Sequence, residues 1–200
     1  MTDVTFVSTN PGKSREVEAI LAPYGITVHW RRTELPEPQA DRLEDVVAAK
    51  LDAVRSVRGY AMVEDSGLFI PSLGGFPGVY SAHFLKLWKF GPILELLRTR
   101  PRGAYFRSVV GLRRGAQRWV FAGEVVGSIA DRPSGGGGFG YDPIFVPRGW
   151  SRTFADGSDE EKNAISHRAR AVRQVGEAIG SAPVEPARPG PPSRRPVRRR

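Results

Sequence analysis

Two hundred residues with 40% hydrophobic content can bury one sizeable core, so a single domain is expected. The absence of cysteine excludes disulfides, thiolate metal sites and a cysteine nucleophile. The net charge of +9 suggests nucleic acid only until it is located, because residues 183–200 carry six arginines against one glutamate and leave four charges for the rest.

In chain order, Asp3–Thr9 is predicted as a buried strand. A helix follows through Arg15–Ala22, with Asn10 as N-cap, Pro11 in the first turn and Gly25 past the end. Ile26–Trp30 is a second strand. Leu43, Val46, Val47, Leu51, Val54 and Val57 mark one face of a second helix. Tyr60–Val63 is a strand that ends at Glu64-Asp65-Ser66-Gly67, where Gly67 permits a tight turn. Gly74–Gly78 is a rigid loop, and Leu85–Arg98 is mostly helical despite Gly91-Pro92. Ala104–Arg113 and Arg118–Ile129 form a long hairpin turning at Arg114-Gly115-Ala116. Asp159–Ile179 is one amphipathic helix with Ile165, Ala169, Val172, Val175 and Ile179 inward. The domain closes at 182, and the tail, with six prolines and no apolar period, is expected to be disordered. Its arginines permit non-specific phosphate contacts with nucleic acid, but a solvated appendage is the expectation. With no basic-then-apolar leader and no apolar run near the roughly 20 residues of a membrane helix, a soluble cytoplasmic protein is expected. The fold class is α/β with a mixed sheet.

Four segments carry candidate chemistry. Gly12-Lys13-Ser14 imitates a P-loop, but the glycine required five residues before that Gly-Lys is Val7, and Pro11 removes a backbone N–H. What remains is a turn presenting Asn10, Lys13 and a helix N-terminus. That turn is either an anion site or an ordinary capped helix. Glu64 and Asp65 are adjacent in a strand, so they point to opposite faces and one of them, at most, enters a given site. One or two carboxylates with water and phosphate oxygens suit magnesium, while a solvated acidic turn is the alternative. Four consecutive glycines, Gly135–Gly138, precede Phe139-Gly140-Tyr141-Asp142, whose aromatics either stack on a base or belong to the core. In Lys162-Asn163-Ala164-Ile165-Ser166-His167-Arg168, donors are denser than a solvated face requires. Arginine outnumbers lysine 25 to 5, so lysine is expected where a compact ammonium is needed.

Five motifs occur in order: Ser8-Thr9-Asn10-Pro11-Gly12-Lys13 with Glu16, Val63-Glu64-Asp65-Ser66-Gly67-Leu68, Gly74-Gly75-Phe76-Pro77-Gly78-Val79-Tyr80-Ser81, Phe139-Gly140-Tyr141-Asp142-Pro143-Ile144-Phe145 and Glu161-Lys162-Asn163-Ala164-Ile165-Ser166-His167-Arg168. The chain resembles the inosine triphosphate pyrophosphatases, or non-canonical purine NTP pyrophosphatases, over roughly residues 4–178. Ala104-Tyr105-Phe106-Arg107 and Arg152-Thr153-Phe154-Ala155 look most like the archaeal and eukaryotic branch.

The resemblance implies magnesium-dependent hydrolysis of ITP, dITP and XTP to the monophosphate and pyrophosphate by a homodimer. It also implies an elongated mixed β-sheet flanked by helices, with a central nucleotide-binding cleft. Carried over, Ser8, Thr9, Asn10, Pro11, Gly12 and Lys13 hold the triphosphate. Asp65 binds magnesium and helps activate water, Ser66 contacts the nucleotide, and Glu37 is a second metal carboxylate. Phe139, Gly140, Tyr141 and Asp142 form part of the base pocket, and Lys162, His167 and Arg168 read the base from the other side. Attack of water on the α-phosphorus builds charge on the leaving pyrophosphate, which magnesium and Lys13 neutralise. Donors such as His167 and Arg168 bond a 6-keto oxygen but not a 6-amino group, and a buried donor left unpaired costs about 1–3 kcal/mol. The family often has threonine at Ser8 and, in some members, a lysine in the helix after Glu37. By spacing that position is Ala49, with Lys50 next to it, and neither is placed in the site. Glu64 is likewise assigned no role. Two alternatives stay open: a septum-related pyrophosphatase of modified pyrimidine triphosphates, and a nucleotide- or RNA-binding protein without catalysis.

Overall fold

The computed structural model describes residues 2–180; the tail, with its expected disorder and phosphate contacts, lies outside them. Seven strands form one mixed sheet in the order β2-β1-β3-β5-β6-β7, with β4 on a branch from β3. They are β1 (Thr2–Val7), β2 (Ile26–Arg31), β3 (Tyr60–Phe69), β4 (Pro77–Gly78), β5 (Gly103–Arg114), β6 (Gln117–Ile129) and β7 (Phe145–Pro147). Six helices flank it: α1 (Pro11–Leu21), α2 (Leu43–Ala53), α3 (Ser81–Trp88), α4 (Gly91–Leu96), α5 (Asp159–Ile165) and α6 (His167–Ile179). β1 is parallel to β2 and β3, while β3, β5, β6 and β7 are antiparallel in succession. None of the helices in the described residues is long and apolar enough to cross a membrane.

Strand periodicity divides the core. Val4, Phe6, Met62 and Val110 face α1 and α6, packing with Val17, Leu21, Val172 and Val175. Their neighbours Val7, Ala61, Val63 and Val109 face α2 and meet Leu43, Val47 and Leu51. A third cluster, with Leu68, Phe84, Phe106, Phe145 and Phe154, packs the far half of the sheet. Asn10 caps α1 as expected, accepting hydrogen bonds from the backbone N–H groups of Gly12 at 2.8 Å and Lys13 at 3.1 Å.

Five expectations are corrected. β3 does not end at Val63; it runs ten residues, and its partner β5 pairs every one from Tyr60 to Phe69. The polar stretch stays extended because β5 satisfies its backbone, a tertiary contact that overrides local preference. Gly67 is therefore no turn. It is glycine because a Cβ there would sit 2.3 Å from the carbonyl oxygen of Gly78 on β4. Pro77–Gly78, expected as loop, is that paired strand. The segment around Gly91-Pro92 is two helices, the first starting at Ser81. The final helix breaks at Ser166, whose extended backbone ends α5 and whose hydroxyl accepts from the Ala169 N–H to start α6.

Gly67→Ala is expected to destabilise the fold by about 1–3 kcal/mol, because backbone cannot yield as a side chain does. Gly103→Ala, where a Cβ meets open space, is expected to stay within about 0.5 kcal/mol. Paired thermal melts by circular dichroism check both.

Candidate active site

β3 delivers adjacent carboxylates to opposite faces of the sheet. Glu64 turns toward α1 and α6. Lys13 Nζ lies 2.7 Å from its Oε2, Arg168 Nε lies 3.2 Å from Oε1, and the Ser108 hydroxyl donates to Oε1 at 2.7 Å. Burial alone pushes the Glu64 pKa up, but Arg168 and Lys13 more than reverse this and hold it far below the usual carboxylate value. From Arg168 the ion pairs continue to Glu16, then to Lys162 at 2.7 Å, then to Asp142 at 2.5 Å. Arg168 Nη2 also donates to Ser66 Oγ at 3.1 Å.

Asp65 turns toward α2. There Lys50 Nζ stands 2.6 Å from Asp65 Oδ1 and 3.0 Å from Glu37 Oε1. Burial raises the Asp65 pKa more than Lys13 and Lys50 lower it, and Glu64 adds to the rise. Lys50, by contrast, is raised: burial acts to lower it, and Asp65 and Glu37 prevail. Lys50 and Glu64, which the sequence analysis leaves out of the site, are thus in direct contact with its candidate residues. The signal for Lys50 was present, since Leu43, Val46, Val47, Lys50 and Leu51 all lie on the buried side of α2.

Two cavities meet along Lys13, Ser66 and Ala82. One of about 280 Å³ is lined by Glu37, Asp65 and His83, and opens at the α2 side. The other, about 340 Å³, is walled by Phe139, Tyr141, Phe106, His167, Arg168 and Leu85, among others. Ser8 and Thr9 line a smaller recess with Asn10, Lys13, Lys50 and Glu64. Pro11 is exposed in the first turn of α1 and Gly12 is buried behind Phe139. These two of the expected phosphate residues therefore do not line the joined cavities. The Asn10 side-chain oxygen is already committed to capping.

At the second cavity, Phe139 lies beneath two cations, with Lys162 Nζ 4.5 Å and the Arg168 guanidinium 5.3 Å from its ring centre. Asp142 accepts from the Phe139 N–H at 2.7 Å, and burial raises its pKa against the pull of Lys162. The glycine run acquires a reason here: Gly138 has φ +66°, and a Cβ on it would strike Asp142 Oδ2 at 2.3 Å. Tyr141 belongs to the core, its hydroxyl donating to the Ser81 carbonyl at 2.9 Å. His167 stacks on Phe106 at 4.6 Å, with Nδ1 buried and unpartnered. Burial, aided by Arg168, holds His167 well below the ordinary imidazole value, so it is neutral.

Among the described residues no three His, Asp or Glu side chains converge as a protein-only metal cage. Two carboxylate oxygens do converge, on the ammonium of Lys50, and Glu37 is 68% exposed and free to turn. A pair of hard oxygen donors, one buried and one exposed to solvent, fits a divalent cation completed by water and phosphate.

The Ham1 family model matches residues 4–178. A dITP/XTP pyrophosphatase of Thermococcus kodakarensis is 47% identical over 174 residues, covering 86% of this chain and 94% of the relative. One of Pyrococcus horikoshii is 44% identical over 172 residues, covering 85% and 92%. Among solved structures, a HAM1 protein from Coxiella burnetii superposes with a TM-score of 0.77 at 29% identity, covering 90% of this chain and 98% of its own. A dITP/XTP pyrophosphatase from Mycobacterium abscessus gives a TM-score of 0.65 at 33% identity, covering 87% and 97%.

Glu16, buried between Arg168 and Lys162, tests the ion-pair chain. Burial raises its pKa, but the two cations outweigh that and leave it below the ordinary 4.5. Its stabilising effect is therefore present above the unfolded-state value and is lost as pH falls through the folded one. Glu16→Gln is expected to cost about 3–5 kcal/mol at neutral pH, because it strands buried cations. The stability of the variant should also fall less steeply with acid than that of the parent. Urea unfolding at a series of pH values measures both.

Proposed function

Because the chain belongs to the Ham1 family, we propose that it hydrolyses ITP, dITP and XTP to the nucleoside monophosphate and pyrophosphate with magnesium. The carrying observation is that Lys13 and Ser66 border both cavities, so one ligand can lay its phosphates by Asp65 and its base by Phe139. The dITP/XTP pyrophosphatases among the relatives support that substrate class.

In this reading Asn10 holds the first turn of α1 in register and Lys13, still paired with Glu64, offers its remaining N–H groups to the polyphosphate. Glu37 and Asp65 hold the cation, which when bound neutralises charge on the phosphate oxygens. Asp65 takes a proton from the water that attacks the α-phosphorus. The new bond joins the water oxygen to that phosphorus, and the bridging oxygen leaves with its electron pair as pyrophosphate. Lys50 orients Asp65 at 2.6 Å. Phe139 offers a stacking face, and the neutral His167 with Lys162 and Arg168 supplies donors for a 6-keto oxygen. The Arg168 guanidinium has five N–H groups; Glu64, Glu16 and Ser66 engage three nitrogens, leaving N–H capacity for the base. A homodimer fits the exposed Phe76, Tyr80, Leu87 and Trp88, which offer an apolar surface beside α3, and a cytoplasmic nucleotide pool is the natural source of substrate.

Pyrophosphate release from ITP, XTP, dITP, dUTP, ATP and GTP, with magnesium and with chelator, tests the proposal. ITP and XTP are expected to lead, with loss of turnover on chelation. Asp65→Asn is expected to lower kcat about 10²- to 10⁴-fold, the usual worth of a positioned acid–base group. Preference for a pyrimidine triphosphate, or binding without pyrophosphate release, overturns it.

A further inference from the structure

Lysine usage and charge pairing single out a part of the cleft that the proposed reaction leaves unused. The chain has five lysines against 25 arginines. All five line the cleft, four of them the larger cavity: Lys13, Lys86, Lys89 and Lys162. Three cations of that cavity are already neutralised, since Lys13, Lys162 and Arg168 are paired with Glu64, Glu16 and Asp142. Lys86 and Lys89 form no ion pair with any described residue, although both project from α3 into the same cavity. They are its two surplus positive charges.

Their position is at the base end. Ala82 borders both cavities; at 1.5 Å per helical residue Lys86 lies about 6 Å further along α3, and Lys89 is the residue that caps the end of that helix. Lys89 is also the one non-glycine residue among those described with a left-handed backbone, at φ 56°. A glycine would close α3 there without strain, so a lysine side chain is kept at a conformational cost. Phosphates at the Asp65 end do not need these charges. Hypoxanthine, adenine and guanine are neutral at physiological pH, but xanthine carries a second keto group and loses a ring proton near neutrality. It is the one base among them that arrives as an anion.

We propose that Lys86 and Lys89 recognise the deprotonated xanthine base and tilt the enzyme toward XTP over ITP. This rests on the nucleotide reading of the cleft. The other charged or titratable groups lining the cavity are Lys13, Tyr141, Asp142, Lys162, His167 and Arg168, backed by Glu16 and Glu64, and burial raises the Tyr141 phenol far above neutrality. The carboxylates are matched by cations, and His167 is neutral. The pH dependence therefore follows the base.

The test compares the parent with K86Q/K89Q, using kcat/KM for XTP and ITP from acid to neutral pH. Binding of XMP and IMP is measured separately by calorimetry. The parent ratio of XTP to ITP is expected to rise as xanthine ionises. The variant should flatten that rise and lose roughly three- to tenfold of the ratio at neutral pH, the scale of exposed charge pairs. An equal loss for both substrates means general steering of polyanions and overturns the inference, as does an unchanged ratio. If neither triphosphate is hydrolysed, the proposed function fails. The XMP-to-IMP binding ratio then decides the lysines alone, a drop in the variant supporting them and no change refuting them.

Discussion

Glu64 is a charge with no access to water, and much of the molecule is arranged around that fact. A carboxylate in such a place is tolerated only when cations and hydrogen bonds replace its hydration. Lys13 comes from the first turn of α1, Arg168 from the first turn of α6 and Ser108 from β5. These partners are 51, 104 and 44 residues away in sequence, and the one group they share fixes both helix starts against the middle of β3. The break at Ser166 follows from this. A continuous helix through residues 159–179 would carry Lys162 and Arg168 on one rigid rod. The break lets each bind Glu16 from its own direction.

The alternation of β3 turns this constraint into a division of labour. Glu64 serves the face on which α1 and α6 meet, and Asp65, one residue on, serves the face covered by α2. Their settings push them apart: Glu64 is held ionised by two cations, while burial leaves Asp65 the more basic. Two adjacent carboxylates in one strand thereby acquire different electrostatic settings, one held ionised and one made more basic, because the period of two sends them to different partners.

Local signals were legible in the sequence. Asn10, Pro11 and Gly25 bracket α1 and its short 3₁₀ extension, and the β5–β6 hairpin turns within the expected three residues. The divergence of strand neighbours implied that one of Glu64 and Asp65, at most, enters a given site, and the family resemblance is what pointed to Asp65. What was not legible depended on partners distant in sequence. Nothing local keeps Glu64-Asp65-Ser66-Gly67 extended; β5 does. Nothing local distinguishes Lys50 from a surface lysine except its place on the apolar face of α2, and spacing inherited from relatives pointed to Ala49 instead. The Gly135–Gly138 run resisted explanation until the backbone of Ala155 and the carboxylate of Asp142 were seen pressed against it.

The ion pairs also bear on how the proposed substrate would meet the Asp65 end of the cleft. Lys13, Lys50, Lys162 and Arg168 face Glu16, Glu37, Glu64, Asp65 and Asp142, four formal cations against five carboxylates. Within this paired network the excess is negative, and it sits at the Asp65 end, where Glu37 and Asp65 share the single ammonium of Lys50, while Lys86 and Lys89, unpaired among the described residues, line the other cavity. A triphosphate placed there meets repulsion unless a further cation comes with it or Lys13 is drawn away from Glu64. Drawing Lys13 away uncovers a buried charge that Arg168 must then hold alone. A divalent ion accompanying the nucleotide removes the excess without disturbing that pair. On the proposed function, the negative balance would favour the metal-bound nucleotide over the free one, a selectivity set by side chains that need touch no part of the base.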